Sequence, residues 1–329
     1  MTRPVAVILN DTSTRYHHGC ARVMRLLVAG LEAAGITVGL RIAARKDWAR
    51  DRATLTAIRS AAVIVINGEG TLHDGAAQGE RLLAVTEAAP DVPVALVNAL
   101  WQDNPPDWAS RLGKAALIAA RDSRSAAEMA TLLGRPVHWL PDLSLSAHGP
   151  AGQAARAGII VGDSVRAEKR RALGHAAQRL GATCLPTKTL TARVWQNAAA
   201  RQLLWRAYHG IWTGPMPRFA LAPDEDRYLH DLAGAETHIT GRFHGICLSM
   251  VTETPFLALA SKTSKVETLL TDAGLGTERL ITEEDLARLT PALAQRPFSG
   301  HEIAAIRAFR ARAAAEAARL FADIRDVAR

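Results

Sequence analysis

Short apolar runs rich in β-branched residues alternate along the chain with longer stretches in which apolar residues recur at helical spacing. In the first part of the chain the short runs lie at residues 5–9, 38–42, 62–66, 94–97 and 116–119. Helical patterns separate these runs at residues 20–34, 52–60, 78–88 and 123–133. Strands and helices that alternate in this way predict a mostly parallel, doubly wound sheet.

A second series of the same kind follows a loop of small residues at 144–157. Its short runs lie at 158–161, 182–185, 210–213, 237–240 and 256–260, and its helical patterns at 166–180, 192–205, 223–232, 244–251 and 264–273. We therefore predict an α/β fold with two Rossmann-like doubly wound domains, at 1–148 and 149–299. Residues 300–329 form a long amphipathic pattern, which predicts a C-terminal helix that can pack back on the N-terminal domain.

Length and composition agree with this division. A chain of 329 residues exceeds the size at which one hydrophobic core stops growing, and aromatic residues make up only 5% of it. The net charge of +8 suits an anionic partner, but the basic residues are spread thinly, so we expect no nucleic-acid binding. Cys20, Cys184 and Cys247 lack the spacing of a disulfide framework or a cysteine zinc site.

The N-terminus and the length of the apolar stretches indicate where in the cell the protein is expected. The N-terminal residues run into a short strand without the long apolar core of a signal peptide. No stretch is long and apolar enough to span a bilayer. We expect a cytoplasmic protein, and contact with the inner face of the membrane stays open.

Polar residues follow the first and third predicted strands, where ligands of open α/β sheets bind. Asn10 and Asp11 end the first strand, and the basic pair His17 and His18 comes before the next helix. Capping and turn preferences explain the asparagine and the aspartate, but not the histidines. These residues suit a hydroxyl-rich or anionic ligand.

The third strand ends in a glycine-rich segment, 67–75, that contains Asn67, Glu69, His73 and Asp74. Its spacing matches neither a dinucleotide fingerprint nor a phosphate-binding loop of nucleotide hydrolases. A tight turn accounts for the glycines but does not require the charged residues. A carboxylate beside glycine amides is a reasonable general base for a sugar hydroxyl, which points to Glu69 or Asp74.

The strongest local pattern lies at residues 239–245, where a strand gives way to an apolar helix. Arg242 and His244 stand at the start of that helix, where cations oppose the helix dipole. Free amides beside an arginine and a histidine favour a bound anion. Lys262 and Lys265 add two cations near the end of the next predicted strand.

In series, these segments resemble the polysaccharide pyruvyl transferase family. The resemblance rests on residues 67–74, 121–125, 141–142, 239–245, 254–259 and 265–266, in the order of the family. It implies two Rossmann-like domains that face a cleft, as in GT-B glycosyltransferases. It also implies transfer of a pyruvyl group from phosphoenolpyruvate to saccharide hydroxyls as a ketal. That chemistry requires no metal, and the histidines and carboxylates lack a short metal-binding spacing such as HExxH, so we expect no metal and no cofactor. Arg242 and His244 fall on the family's arginine and histidine that bind the donor.

The resulting site prediction has three parts. The predicted catalytic residues are His244, Glu69 and Asp74, and the predicted donor-binding residues are Arg242, Gly241, Phe243, Lys262, Lys265 and Arg121. The predicted acceptor-binding residues are Asn10, Asp11, His17, His18 and Asn67. The expected partners are phosphoenolpyruvate or a nucleotide sugar as donor and a saccharide or lipid-linked glycan as acceptor.

Two alternatives stay open at this point. A GT-B glycosyltransferase with a nucleotide-sugar donor needs the same cationic helix start, because that start also suits a diphosphate. A non-catalytic carbohydrate-binding protein with the same fold would bind sugars without turnover.

Overall fold

The computed structural model describes residues 3–15, 17–150, 155–189, 194, 197–260 and 264–328. The chain divides into two compact units. The first consists of Met1–Arg15, Val23–Ser146 and Arg310–Arg329, and the second of Tyr16–Arg22 and Ala147–Phe309. The domain boundaries inferred from sequence, after residues 148 and 299, stay a prediction.

The first unit contains a six-stranded sheet in the order β2-β1-β3-β4-β5-β6, and neighbouring strands run parallel. The strands are β1 (Val5–Asp11), β2 (Thr37–Ala43), β3 (Val63–His73), β4 (Val94–Gln102), β5 (Leu117–Ala120) and β6 (His138–Trp139). The helices between them are α1 (His18–Ala33), α2 (Arg52–Arg59), α3 (Ala77–Leu83), α4 (Val85–Ala88), α5 (Trp108–Leu112) and α6 (Ser123–Leu133).

Both faces of this sheet are buried, because the crossovers of a parallel sheet place helices on each side. Ile64 and Ile66 of β3 belong to one apolar cluster. Val63 and Val65, which point the other way, belong to a second cluster. This second cluster also contains Leu320 from the C-terminal helix α14 (Gly300–Val327).

The second unit contains a five-stranded parallel sheet in the order β11-β10-β9-β7-β8. Its strands are β7 (Ile159–Ser164), β8 (Thr183–Cys184), β9 (Thr237–Gly241), β10 (Phe256–Leu259) and β11 (Leu280–Ile281). Its helices are α7 (Ala167–Leu180), α8 (Ala198–His209), α9 (Glu225–Ala233), α10 (Phe243–Val251), α11 (Lys265–Asp272), α12 (Glu283–Arg288) and α13 (Pro291–Ala294), followed by the start of α14.

The predicted fold class, an α/β protein with two doubly wound parallel-sheet domains, is confirmed. One predicted strand, at residues 210–213, is wrong. Gly210 ends α8 in the left-handed conformation, with φ at 66°, and the N–H of Ile211 bonds back to the carbonyl of Arg206. The chain therefore turns where the apolar pattern predicted extension, and Trp212 stays exposed. None of the helices in the described ranges is long and apolar enough to cross a bilayer.

Each sheet has one topological switch point, where successive crossovers leave in opposite directions. It lies between β1 and β3 in the first unit and between β7 and β9 in the second. Ligands of open α/β sheets bind outside the carboxyl ends of the strands at such points. The polar groups at these strand ends are therefore the candidates for a functional site.

Candidate functional site

In the second unit the turn from β9 to α10 brings the predicted cationic residues to the switch point. Gly241 is paired with Ser164 of β7, and a Cβ added at Gly241 would lie 2.8 Å from the Cβ of Ser164. The glycine therefore lets the two strand ends approach closely. Arg242 is the N-cap of α10, and its N–H bonds to Oγ1 of Thr240 over 3.2 Å.

The Arg242 side chain is paired with a buried carboxylate. Its Nε and Nη2 donate to Oδ2 of Asp163 over 3.1 and 2.6 Å. Asp163 lies near the end of β7 and is 1% exposed. This pair accounts for a cation at a helix start, because the carboxylate offsets the unfavourable helix dipole.

Two further groups bind the same carboxylate. The hydroxyl of Tyr208 in α8 donates to Oδ2 of Asp163 over 2.8 Å, and the N–H of Thr187 donates to Oδ1 over 3.0 Å. Burial opposes ionisation, but the Arg242 charge and the hydrogen bonds from Arg242 and Tyr208 outweigh it and lower the pKa of Asp163 to about 2. Asp163 is therefore an anion at neutral pH.

The segment before α1 belongs to the same unit and meets the β9–α10 turn. The N–H of His18 donates to the carbonyl of Thr187 over 3.0 Å, and His17 forms a bridge with Lys188. The rings of His17 and His244 stand edge to face with their centroids 5.4 Å apart. Burial, His244 and Arg242 all hold the pKa of His17 well below its usual range, so its imidazole is neutral near pH 7.

A glycine makes this approach possible. A Cβ added at Gly19, in the first turn of α1, would lie 2.3 Å from the Cβ and Cγ of His244. Real Cβ atoms essentially never come so close to another carbon atom, so a side chain at position 19 would clash with His244. The start of α1 and the start of α10 therefore touch through a residue without a side chain.

His18 takes a different position from His17. Its ring is 1% exposed and stacks on Tyr228 with centroids 4.7 Å apart. Burial lowers the pKa of His18 to about 4 against the opposing effect of nearby carboxylates. The acceptor-binding role of His18 stays a prediction, and in the structure its ring is part of the interior.

In the first unit, Asn10, Asn67 and Glu69 come together at the switch point between β1 and β3. Asn10 Nδ2 donates to the carbonyl of Asn67 over 2.6 Å, and the Thr12 hydroxyl donates to Oε1 of Glu69 over 2.7 Å. Asn10 and Glu69 adopt positive φ values of 64° and 39°. Non-glycine residues hold such angles only where the surroundings fix them, and such residues cluster at functional sites.

The other predicted residues of this unit make different contacts. Asp74 is 63% exposed and pairs with His73 over 2.9 Å, while the Asp11 carboxylate binds Ser13 and Arg41. Arg121 is buried beside Asp142, with 3.6 Å between Nη1 and Oδ2. Of the three predicted carboxylates at these strand ends, Glu69 and Asp11 are buried and Asp74 is exposed.

The predicted lysines give less information. Lys265 is the first residue of α11 in the second unit and is partly buried. Lys262 lies outside the described residues. The structure thus groups Gly241, Arg242, Phe243, His244 and His17 in the second unit, and Arg121 belongs to the first.

The sequence of the chain identifies the family to which it belongs. The sequence model of one family, polysaccharide pyruvyl transferase, matches residues 31–263, which is more than half of the chain. The chain belongs to the polysaccharide pyruvyl transferase family. It is accordingly a transferase. The match contains the glycine-rich end of β3 and the β9–α10 turn, and it begins after the His17 segment. None of the curated proteins compared with the chain matches it.

Solved structures support the fold of this family member. A putative UDP-N-acetylglucosamine 2-epimerase from Listeria monocytogenes has a TM-score of 0.54 at 11% identity, over 96% of this chain and 94% of that one. An O-GlcNAc transferase mutant from Thermobaculum terrenum has a TM-score of 0.52 at 13% identity, over 100% of this chain and 69% of that one. At such low identity these similarities concern only the fold, which is of the GT-B type. How the two domains face each other stays a prediction.

Sequence inspection missed two members of the site in the second unit, Asp163 and Tyr208. Asp163 could have been predicted, because it lies just beyond the apolar run 158–161 and ligands bind at strand ends. Tyr208 sits in α8, and no local pattern marks it. Only the tertiary structure brings its hydroxyl to the carboxylate.

Proposed function

We propose that this transferase moves the pyruvyl group of phosphoenolpyruvate onto two hydroxyls of a saccharide. The observation that carries the proposal is the β9–α10 turn, where Arg242 and the start of α10 lie at a switch point in a member of this family. A guanidinium has five N–H groups in a planar fork, so an arginine bonded to one carboxylate can still contact a second anion. Phosphoenolpyruvate offers a phosphate and a carboxylate.

The chemistry requires one proton delivered and two removed. Protonation of the donor methylene carbon makes C2 electrophilic, and an acceptor hydroxyl adds to C2 with loss of its proton. Phosphate then leaves, and the second hydroxyl adds to give the ketal while its proton passes to the phosphate. The products are the pyruvyl ketal and inorganic phosphate, and both sides of the equation carry the same charge.

The residues divide these tasks. Arg242 and the α10 amides hold the anionic donor, and His244 delivers the proton or binds the phosphate. Glu69 is the candidate to accept a proton from the acceptor hydroxyl, with Asp74 as the second candidate. Asn10 and Asn67 supply amide groups suited to sugar hydroxyls.

The test is phosphate release from phosphoenolpyruvate in the presence and absence of a panel of methyl glycosides. We expect release that depends on one glycoside and falls by about a hundredfold or more in Arg242→Lys and His244→Ala. His175→Ala is the matched control, because His175 is an exposed histidine of the same unit. Nucleotide release from sugar nucleotides without any use of phosphoenolpyruvate would contradict the proposal and favour a glycosyltransferase.

A further inference from the structure

Three potential metal ligands converge in the second unit. His17, Cys20 and His244 each offer one ligand atom, and these atoms all lie within 4.8 Å of one another. His17 immediately precedes α1 and Cys20 lies in its first turn, three residues further on, whereas His244 is the second residue of α10. Residues three apart at a helix start project to the same side. The fold therefore assembles a two-histidine, one-cysteine set from two distant segments.

The surrounding structure holds these groups in place. Cys20 and His244 are buried, at 6% and 7% exposure, and His17 is partly buried. The Cys20 N–H contacts Nδ1 of His17 over 3.5 Å, which orients the ring over the helix start. Gly19 removes the side chain that would otherwise keep His244 away. Such packing reduces the entropy that a metal must overcome to order its ligands.

The chemistry of the set favours zinc. Imidazole nitrogen and thiolate sulfur are its common ligands, and three protein ligands leave one position of a tetrahedron for a further group. A ligand imidazole binds the metal through an unprotonated ring nitrogen, and each of the two histidines offers one such ligand atom. None of the three cysteines is in a disulfide.

The charge near the cluster also permits a cation. Arg242 acts electrostatically on His17 and by itself would repel a metal ion. Asp163 pairs with Arg242 at 2.6 Å and acts on His17 with the opposite sign. The ion pair has no net charge, so the repulsion is largely offset.

We propose that His17, Cys20 and His244 form a binding site for one zinc ion. The sequence predicted no metal, because the third ligand comes from a distant segment that no short spacing contains. The site does not depend on which donor the enzyme uses. A coordinated imidazole nitrogen has no proton to deliver, so zinc binding competes with proton transfer from that atom of His244.

The experiment measures metal directly and records activity separately. The full chain is stripped with a chelator, kept reduced, and titrated with Co²⁺ as a spectroscopic substitute for zinc. We expect one equivalent to bind, with the intense visible bands of a tetrahedral ion and a thiolate-to-cobalt charge-transfer band in the near ultraviolet. Added Zn²⁺ should abolish both signals.

Variants assign the ligands. Cys20→Ser should lose the charge-transfer band, and both Cys20→Ser and His17→Ala should bind at least about tenfold more weakly. Cys184→Ser and His175→Ala should behave like the wild type, since burial in the core raises the pKa of Cys184 to about 12 and His175 is exposed. Circular dichroism verifies that each variant folds.

The outcomes separate the two proposals. No stoichiometric binding by the wild type, or a charge-transfer band that survives in Cys20→Ser, overturns the zinc site whatever the activity shows. That wild-type titration needs no variant. Conversely, a bound ion with this spectrum supports the site even if phosphoenolpyruvate proves not to be the donor.

Discussion

The Asp163 carboxylate connects several elements of the second unit through the hydrogen bonds that it accepts. It receives hydrogen bonds from Arg242, Tyr208 and the backbone of Thr187, and the carbonyl of Thr187 in turn accepts from His18. These bonds join the ends of β7 and β9 to α8 and to the start of α1. An anion that is bonded on every side in this way orients its partners as well as neutralising one of them.

Replacement of Asp163 by Asn should therefore destabilise the fold. The change leaves the Arg242 guanidinium, whose side chain is 12% exposed, without its anionic partner, and breaking a buried pair in this way costs about 3 kcal/mol or more. Urea unfolding measures the loss. Glu284→Gln is the control, because its pair with Arg288 is solvent-exposed and should change stability little.

A double variant identifies the cause. Asp163→Asn combined with Arg242→Gln should lose less stability than the sum of the single changes, because the second change removes the unpaired charge. Strictly additive losses would show that the ion pair is not what stabilises this region.

At this scale a sequence is informative where a residue type is unfavourable in its local environment. A cation at the start of a helix is unfavourable, so Arg242 and His244 predicted a bound anion. In the structure the Arg242 side chain pairs with the Asp163 carboxylate, and the bound donor stays a prediction. No local sequence pattern marks Cys20 as a functional residue. Its relation to His244 depends on the approach of two helix starts at Gly19, which no local pattern contains.

Side-chain hydrogen bonds anchor the start of helix α14. Ser299 and Glu302 form reciprocal bonds between side chain and backbone at its first turn. Arg279 then binds both carboxylate oxygens of Glu302 over 2.7 and 2.9 Å. The Arg279 side chain and the cap from Ser299 outweigh the opposing effect of partial burial and lower the pKa of Glu302 to about 2.

Glu302→Gln should loosen the first turn of α14. The amide loses the charge that Arg279 pairs with and weakens the cap, which typically costs about 1 kcal/mol. Hydrogen exchange should become faster at residues 300–306 and stay unchanged at the C-terminal end of the helix. Arg307→Gln on the same helix is the control, because the Arg307 side chain is largely exposed. Faster exchange along the whole helix would contradict a local anchor.

Helix boundaries were predictable where the cap is a side chain visible in the sequence. Helix α6 begins at Ser123, as its pattern predicted, because Asp122 accepts the N–H of Ser125. The apolar residues after α8 misled the strand prediction, since the left-handed Gly210 reverses the chain. Apolar runs of a few residues are ambiguous because extended and turning segments bury similar residues.

Over the whole molecule, buried neutral histidines make stability depend on pH. Burial lowers the pKa of His18 to about 4 and that of His238 to about 3. In the unfolded chain the pKa of a histidine is about 6.5. Between these values the unfolded state binds protons that the folded state excludes. This stability is therefore complete above about pH 6.5 and is lost as the pH falls toward the folded values.

We expect the free energy of unfolding to decrease as the pH falls below about 6.5, with a slope that approaches about 1.4 kcal/mol per pH unit for each histidine concerned. His238→Gln should reduce the slope, and the exposed His175→Gln should not. The Asp163 carboxyl, with its pKa near 2, contributes only below about pH 4 and does not confuse the measurement. A flat profile, or an equal slope in His238→Gln, would contradict this account.

The division of the chain between the units also determines how it can be cut. Residues 17–22 are bound to the second unit through Thr187 and through the 2.5 Å pair of Arg22 with Glu225, and residues 310–328 complete the apolar interior of the first. A break between residues 146 and 147 thus deprives each fragment of a piece that the other carries. Two such fragments should need coexpression to become soluble together. Expression of either half requires a redesigned terminus rather than a simple truncation.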